Sequence, residues 1–133
     1  VGITVLDLPS VDELGVGAFF GMTNVTSVTF GPESQLKTLP NNLLEACKNL
    51  TTFTVPASVT KIGSNVFNGC TSLSSIEFEK GSQLSEIGNR CFQGTALTSI
   101  TLPESVSYMG EYAFYGCKQL RTVNLSKFLV FIS

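Results

Sequence analysis

The stretch Leu97-Thr98-Ser99-Ile100-Thr101-Leu102-Pro103, running on through Val106-Ser107-Tyr108-Met109-Gly110 to Ala113-Phe114-Tyr115-Gly116-Cys117, decides the fold. Its first half recurs as Leu50-x-x-Phe53-x-Val55-Pro56 and Ile3-x-x-Leu6-x-Leu8-Pro9, and without the proline from Val25, Leu73 and Leu120. Its second half recurs as Val59-x-x-Ile62-Gly63-x-x-Val66-Phe67-x-Gly69-Cys70, and again from Val11, Leu36 and Leu84. Units therefore start at residues 3, 25, 50, 73, 97 and 120, and the last is incomplete. Residues 1–133 read as one array of stacked copies. The period is also doubled. The units at 25 and 73 carry the links Gly31-Pro32-Glu33-Ser34-Gln35 and Glu79-Lys80-Gly81-Ser82-Gln83, longer by two residues than the Pro-x-Ser-Val link of the units at 50 and 97.

Elementary stereochemistry turns each unit into a coil. Side chains alternate faces along a strand, so Ile100 and Leu102 point inward while Ser99 and Thr101 point out. Proline ends the strand by removing a ladder donor. Val106 to Met109 form a second short strand, ending at Gly110, where a turn of positive φ is expected. Ala113-Phe114 then starts one helical or 3₁₀ turn, closed by Gly116. A lone unit has too few inward groups to offset the ordering of its backbone, so neighbours must stack and bury both faces. Stacking lines up like residues, including a column of Phe19, Leu44, Phe67, Phe92 and Phe114. The expectation is a β-rich solenoid, right-handed by the crossover rule. It has a parallel sheet of about six strands, short second strands and helical or 3₁₀ turns.

Composition excludes several function classes. Hydrophobic residues make up 43% and charged residues 14%, against roughly 25% charged in ordinary soluble chains, so the chain is too apolar to be disordered. The longest apolar run, Phe128 to Ile132, falls far short of the roughly 20 residues that cross a bilayer. A net charge of −2, with Lys and Arg scattered singly, leaves no basic stripe for nucleic acid. There is no histidine, which removes the commonest general base and metal ligand. No catalytic set, cofactor or metal site is expected. Glu77 and Glu79 share a strand face at roughly 6.6 Å, close to the spacing of an inverting glycosidase pair, but no further carboxylates line up behind them and they read as solvated charge.

These motifs resemble the BspA-like leucine-rich-repeat proteins, whose units read roughly L-x-x-I-x-I-P-x-x-V-x-x-I-G-x-x-A-F-x-x-C. The Ala113-Phe114-Tyr-Gly-Cys117 and Ser105-Val106-x-x-Met109-Gly110 segments carry most of the likeness, which runs over essentially the whole chain. Met22 and Thr95 at the Cys position and Pro40 at the Gly position depart from it. The resemblance implies a repetitive surface protein of bacteria or protists, engaged in adhesion to host proteins or other cells. The doubled period looks like the protist members.

Candidate sites follow from the repeat. The outward strand column offers Ser27 and Thr29, Thr52 and Thr54, Ser75 and Glu77, Ser99 and Thr101, Thr122 and Asn124 as a partner-binding face. A solvated strand also favours such residues for their β-propensity alone. A flat T-x-T array would suit ice, but Asp7, Glu77 and Asn124 interrupt it. Asn24-Val-Thr26, Asn49-Leu-Thr51 and Asn124-Leu-Ser126 are glycosylation sequons. Cys47, Cys70 and Cys117 share one repeat position and read as buried thiols, with disulfides between adjacent coils as the rival; Cys91 points into a different ladder.

The functional expectation is protein–protein or cell-surface recognition by the strand face and longer links, at the cell surface or outside the cell. The alternative is an intracellular architectural scaffold, cytoplasmic or cytoskeletal. Its partners would be a protein or host-surface component and flanking repeats of the same chain, not nucleic acid or membrane. The array is expected to be part of a longer protein. No polar cap covers Ile3, Leu6 and Leu8, while Phe128, Val130 and Phe131 put apolar residues where earlier units are mostly polar.

Overall fold

The computed structural model describes residues 4–8, 10–32, 34–124 and the backbone of 130–131. Ile3, Pro9, Leu125, Phe128, Leu129 and Ile132, and the side chains of Val130 and Phe131, have repeat positions but lie outside the described residues.

Each coil contributes a longer strand, then a shorter one, then a strip of turns. The longer strands are β1 (Val5–Leu8), β2 (Ser27–Phe30), β4 (Thr52–Val55), β6 (Ser75–Phe78), β8 (Ser99–Thr101) and β10 (Thr122–Asn124). The shorter ones are β3 (Thr38–Leu39), β5 (Lys61–Ile62), β7 (Glu86–Ile87), β9 (Tyr108–Met109) and β11 (Val130–Phe131). All pairings are parallel, as a chain that winds the same way in every coil requires. The period-two pattern survives intact: Phe53 and Val55 of β4 are buried while Thr52 and Thr54 are exposed.

The two strand columns differ in continuity. The short strands form one five-stranded sheet, β11-β9-β7-β5-β3. The long strands do not make one sheet of six. They pair as β1-β2, β4-β6 and β8-β10, with no ladder from β2 to β4 or from β6 to β8. Each break follows a unit with the longer link. Two extra residues lengthen that coil on one side, and its strand loses ladder register with the coil that follows. The doubled period of the sequence is thus a structural period of two coils.

The Phe-bearing segment is a strip of turns rather than a helix. Its amides alternate between two acceptors. Phe19, Leu44, Phe67 and Phe92 donate to Leu43, Val66, Cys91 and Ala113 of the next coil at 2.8–3.0 Å, while Cys47 and Cys70 donate three residues back, to Leu44 and Phe67. A helix would spend every amide on its own carbonyls; here half of them stitch the stack together. The alternation requires left-handed residues, found at Gly17, Asn42, Asn65, Arg90 and Tyr112 and again at Gly21, Ala46, Gly69, Gly94 and Gly116.

The expected positive φ at Gly110 is not what the structure has. Gly63, Gly88 and Gly110 are absent from the positive-φ residues. Their glycines serve close approach instead: a Cβ on Gly110 would fall 2.6 Å from the Asn89 nitrogen and 2.7 Å from the Gly88 carbonyl carbon. Asn89 Oδ1 then accepts the Glu111 amide at 2.9 Å, and Asn41 Oδ1 does the same for Ser64. Coils pack backbone to backbone at this corner, and only glycine leaves room.

The core lies between the three columns. Leu39, Leu44, Ile62, Phe67, Ile87 and Phe92 are fully buried. Phe67 stacks on Phe92 at 5.6 Å, Phe92 stacks on Phe114 at 5.4 Å, and Phe53 meets Phe67 edge-on at 5.0 Å. Phe19 and Phe114, at the two ends of the ladder, are only partly buried, since each has a neighbouring coil of the ladder on one side.

Candidate functional site

The face presented by β1, β2, β4, β6, β8 and β10 carries the candidate residues. Thr29, Thr52, Thr54, Glu77, Ser99, Thr101, Thr122 and Asn124 are exposed, and Ser75 is half-buried. Their backbones are held in register, Thr52 beside Ser75, Thr54 beside Glu77, Ser99 beside Thr122 and Thr101 beside Asn124. Side chains bridge within the pairs: Thr29 Oγ1 donates to Asp7 Oδ1 at 3.0 Å, and Asn124 Nδ2 donates to Thr101 Oγ1 at 3.1 Å. The face is therefore three two-stranded tiles rather than one continuous plane.

Between the second and third tiles lies a groove of about 840 Å³. One lip is Ser75, Glu77 and Glu79, the other Ser99, Thr101 and Glu104, and no Lys or Arg lines it. Glu79 Oε1 accepts the Ala57 amide at 2.9 Å, which holds that carboxylate against the preceding link. A smaller hollow of about 250 Å³ sits at the link end of the first seam, lined by Phe30, Pro56 and Glu79 but also by Lys37. Glu79 was legible on the face of Glu77 from its spacing, whereas Glu104, which follows β8, falls outside the alternation. The longer link after β6 is the sequence signal that marks the groove.

The opposite strip of turns carries exposed side chains that the strand argument passes over. Tyr112 and Tyr115 are 55% and 63% exposed and meet edge-on at 5.7 Å, with the Arg90 guanidinium 5.2 Å from the Tyr112 ring centre. Phe20 and Val16 are exposed at the other end of this strip.

The sequons differ in what their amides already do. Asn49 Nδ2 donates to the Thr23 carbonyl and Asn124 Nδ2 to Thr101, whereas Asn24 is simply exposed.

The thiols are structural donors. Cys47 Sγ donates to the Phe19 carbonyl at 3.1 Å, Cys70 to Leu44 at 3.1 Å and Cys117 to Phe92 at 2.9 Å. The repeated Cys satisfies a carbonyl of the preceding coil, a task that Met22 cannot perform. All four sulfurs are free. Burial raises the Cys47 thiol, pushes Cys70 up to about 12 and drives Cys91 well above the ordinary range. Burial thus favours the protonated, less reactive form of these three thiols. Among the described residues no cluster of three His, Cys, Asp or Glu could hold a metal ion, and no helix is long and apolar enough to cross a membrane.

The family model for the BspA type leucine-rich-repeat region matches residues 2–121 in six copies. The chain belongs to this family. Solved structures agree with the fold. A leucine-rich-repeat protein from Bacteroides ovatus superposes with a TM-score of 0.80 at 30% identity over 91% of this chain. The pneumococcal vaccine antigen PcpA superposes with a TM-score of 0.87 at 24% identity over 94%, a likeness of fold alone. A leucine-rich cell surface protein from Faecalibacterium prausnitzii gives a TM-score of 0.63 at 28% identity over 91%. The chain spans about a third of the length of these proteins, 33%, 31% and 38% respectively. No match is found among curated proteins.

Proposed function

We propose that this chain is a protein-recognition module that engages its partner through the long-strand face, at a cell surface. The observation that carries the reading is the face itself. Short hydroxyl, amide and carboxylate side chains stand exposed and in register on a rigid frame, with the apolar residues of β2, β4, β6, β8 and β10 turned inward. Such a frame presents polar groups at little ordering cost, which favours specific association. Membership in the BspA-type family and the likeness to a bacterial cell surface protein support the location. Asn24 is the sequon best placed to carry a glycan, since modification there breaks no amide hydrogen bond of the kind made by Asn49 and Asn124.

Further coils of the same kind belong at the β1 edge. Leu6, Leu8, Val11 and Leu14 are only partly buried there and Val5 is 50% exposed, so apolar surface and an open strand edge are available for stacking. The face of this segment measures roughly 24 by 16 Å, about half the area one partner gives to a standard interface. Added coils would supply the rest.

Binding of the protein to intact host or neighbouring cells tests the reading. Thr54→Arg and Thr101→Arg on the strand face are expected to weaken binding by about tenfold or more, as steric and charge intrusion into an interface core does, while Tyr115→Ala on the turn strip leaves it unchanged. Loss only with the turn-strip variant would assign recognition to the other side of the coil.

A further inference from the structure

One position in each coil of the turn strip requires a left-handed backbone. Gly17, Asn42 and Asn65 fill it with residues that adopt positive φ cheaply. Arg90 (φ 54°) and Tyr112 (φ 58°) fill it with long side chains that do not. Neither recovers the strain by burial, since both are exposed, and one cation–π contact at an exposed site returns less than two strained residues cost. What the two residues gain is position. The Arg90 guanidinium lies 5.2 Å from the Tyr112 ring centre, and Tyr115 meets Tyr112 edge-on at 5.7 Å while remaining 63% exposed. Backbone bonds of 2.9 Å, from Arg90 to the Glu111 carbonyl and from Gly94 to the Tyr115 carbonyl, hold the two coils side by side here.

The cluster joins open ring surface to a cation without an ion pair. Among the described residues the one ion pair is Lys61 with Glu86, so Arg90 makes none, not even with Glu111 beside it on the strip. Stacking on Tyr112 fixes the plane of the guanidinium and leaves its N–H fork for a carboxylate. An aromatic face is negative and attracts C–H groups, and the apolar side of a pyranose ring presents several. Asn89 and Gln93, on the coil of Arg90, add amides, which donate and accept as sugar hydroxyls do. These polar surroundings suit a sugar better than a protein anchor, which sits in an apolar patch that excludes water. We infer that Arg90, Tyr112 and Tyr115 form a carbohydrate site for a sugar that carries a carboxylate, its ring on the tyrosines and its acid on the guanidinium. The site lies on the other side of the coil from the strand face and takes a different class of ligand. A contact the size of one sugar is too weak to carry the binding of whole cells.

The test uses the whole chain, whose tyrosine emission is readable because it has no tryptophan, and a trisaccharide of galacturonic acid as the probe. Its carboxyl-reduced form and a Glu tripeptide are the controls. The acidic sugar should change the tyrosine emission and shift the NMR amide signals of Arg90, Tyr112 and Tyr115. The reduced sugar should bind about tenfold more weakly, having lost the charge-assisted contact with Arg90. Tyr115→Ala should weaken the acidic sugar by about tenfold through the lost ring surface. Arg90→Asn installs the residue type of Asn42 and Asn65, so it should abolish the preference for the acidic form while the melting temperature holds or rises. A lower melting temperature for Arg90→Asn would show instead that Arg90 serves the fold. Equal binding of the Glu tripeptide would show that charge alone is read. Either result overturns the proposal, as does an absence of shifts or shifts that miss these three residues. None of these results bears on the strand-face reading, which stands or falls on cell binding by the Thr54→Arg and Thr101→Arg variants.

Discussion

Removing the Phe67 ring should break the stack at its centre. Phe67 has no exposed surface, lies 5.6 Å from Phe92 in a stacked pair, and takes the edge of Phe53 at 5.0 Å. Burying a side chain of this size contributes about 1.5–3 kcal/mol by area alone. Each aromatic pair lost removes about 0.5–1.5 kcal/mol more, and the cavity left behind is held open because the coils on either side are stitched together by backbone hydrogen bonds. Phe67→Ala is therefore expected to cost about 3–5 kcal/mol in urea unfolding, within the range of buried Phe truncations. Phe114→Ala, on a partly buried ring at the end of the ladder, should cost less. A central lesion in a one-dimensional stack also uncouples its halves, so a reduced m-value or a second transition should accompany the lost stability. A cost below about 1 kcal/mol for Phe67→Ala would refute the claim that this ring anchors the core.

Other perturbations follow from the same geometry. Native protein prepared without reductant should react slowly with a thiol probe at Cys47, Cys70 and Cys91, and denatured protein should react at all four cysteines; two or more sulfurs recovered only by reductant would contradict the free thiols. The thiols should contribute no pH dependence below about pH 8.5, and stability should fall above it by up to about 1.4 kcal/mol per pH unit for each of Cys47, Cys70 and Cys91. The sign comes from burial, which raises the folded Cys47, Cys70 and Cys91, so above the ordinary thiol range these three lose their protons only in the unfolded chain; for Cys70 the loss continues to about pH 12. Urea midpoints across this range should show a shallower slope for Cys70→Ala, and an unchanged slope would remove burial of that thiol as the cause. Gly110→Ala should cost about 1–3 kcal/mol by overpacking, and Gly116→Ala about 1 kcal/mol by conformational strain alone, since its added Cβ meets nothing nearer than 3.6 Å. Thermal unfolding of the two variants checks the order, and a Gly116 variant less stable than the Gly110 variant would reverse the roles assigned here.

The solenoid was legible because each coil must solve the same burial problem as its neighbours. The spacing of Ile100 and Leu102 and that of Val106 and Met109 occur in six units, and that of Ala113 and Phe114 in five, so an error in reading one unit is corrected by the next. The outward column was legible for the same reason: once Phe53 and Val55 point in, Thr52 and Thr54 must point out. Glycine roles were not. Positive φ and crowding both select glycine, and only the packing of Asn89 and Gly88 against Gly110 separates the two. The turn strip was misread as helical because Ala-Phe pairs favour a helix locally, whereas hydrogen bonds to the next coil, which no single unit contains, decide the outcome. The seams were present in the sequence as two longer links. Whether two extra residues bulge outward or break a ladder depends on the adjoining coils, and the structure places the break at β2–β4 and β6–β8.

Site-specific photo-crosslinking on intact cells tests recognition by the strand face most directly. A photoreactive phenylalanine analogue is placed in turn at Thr54 and Thr101 on the strands and at Phe20 and Tyr115 on the turn strip, all exposed positions. The account predicts the same protein adduct from both strand positions and none from the turn strip. Adducts from Phe20 or Tyr115 with none from Thr54 and Thr101 would contradict it.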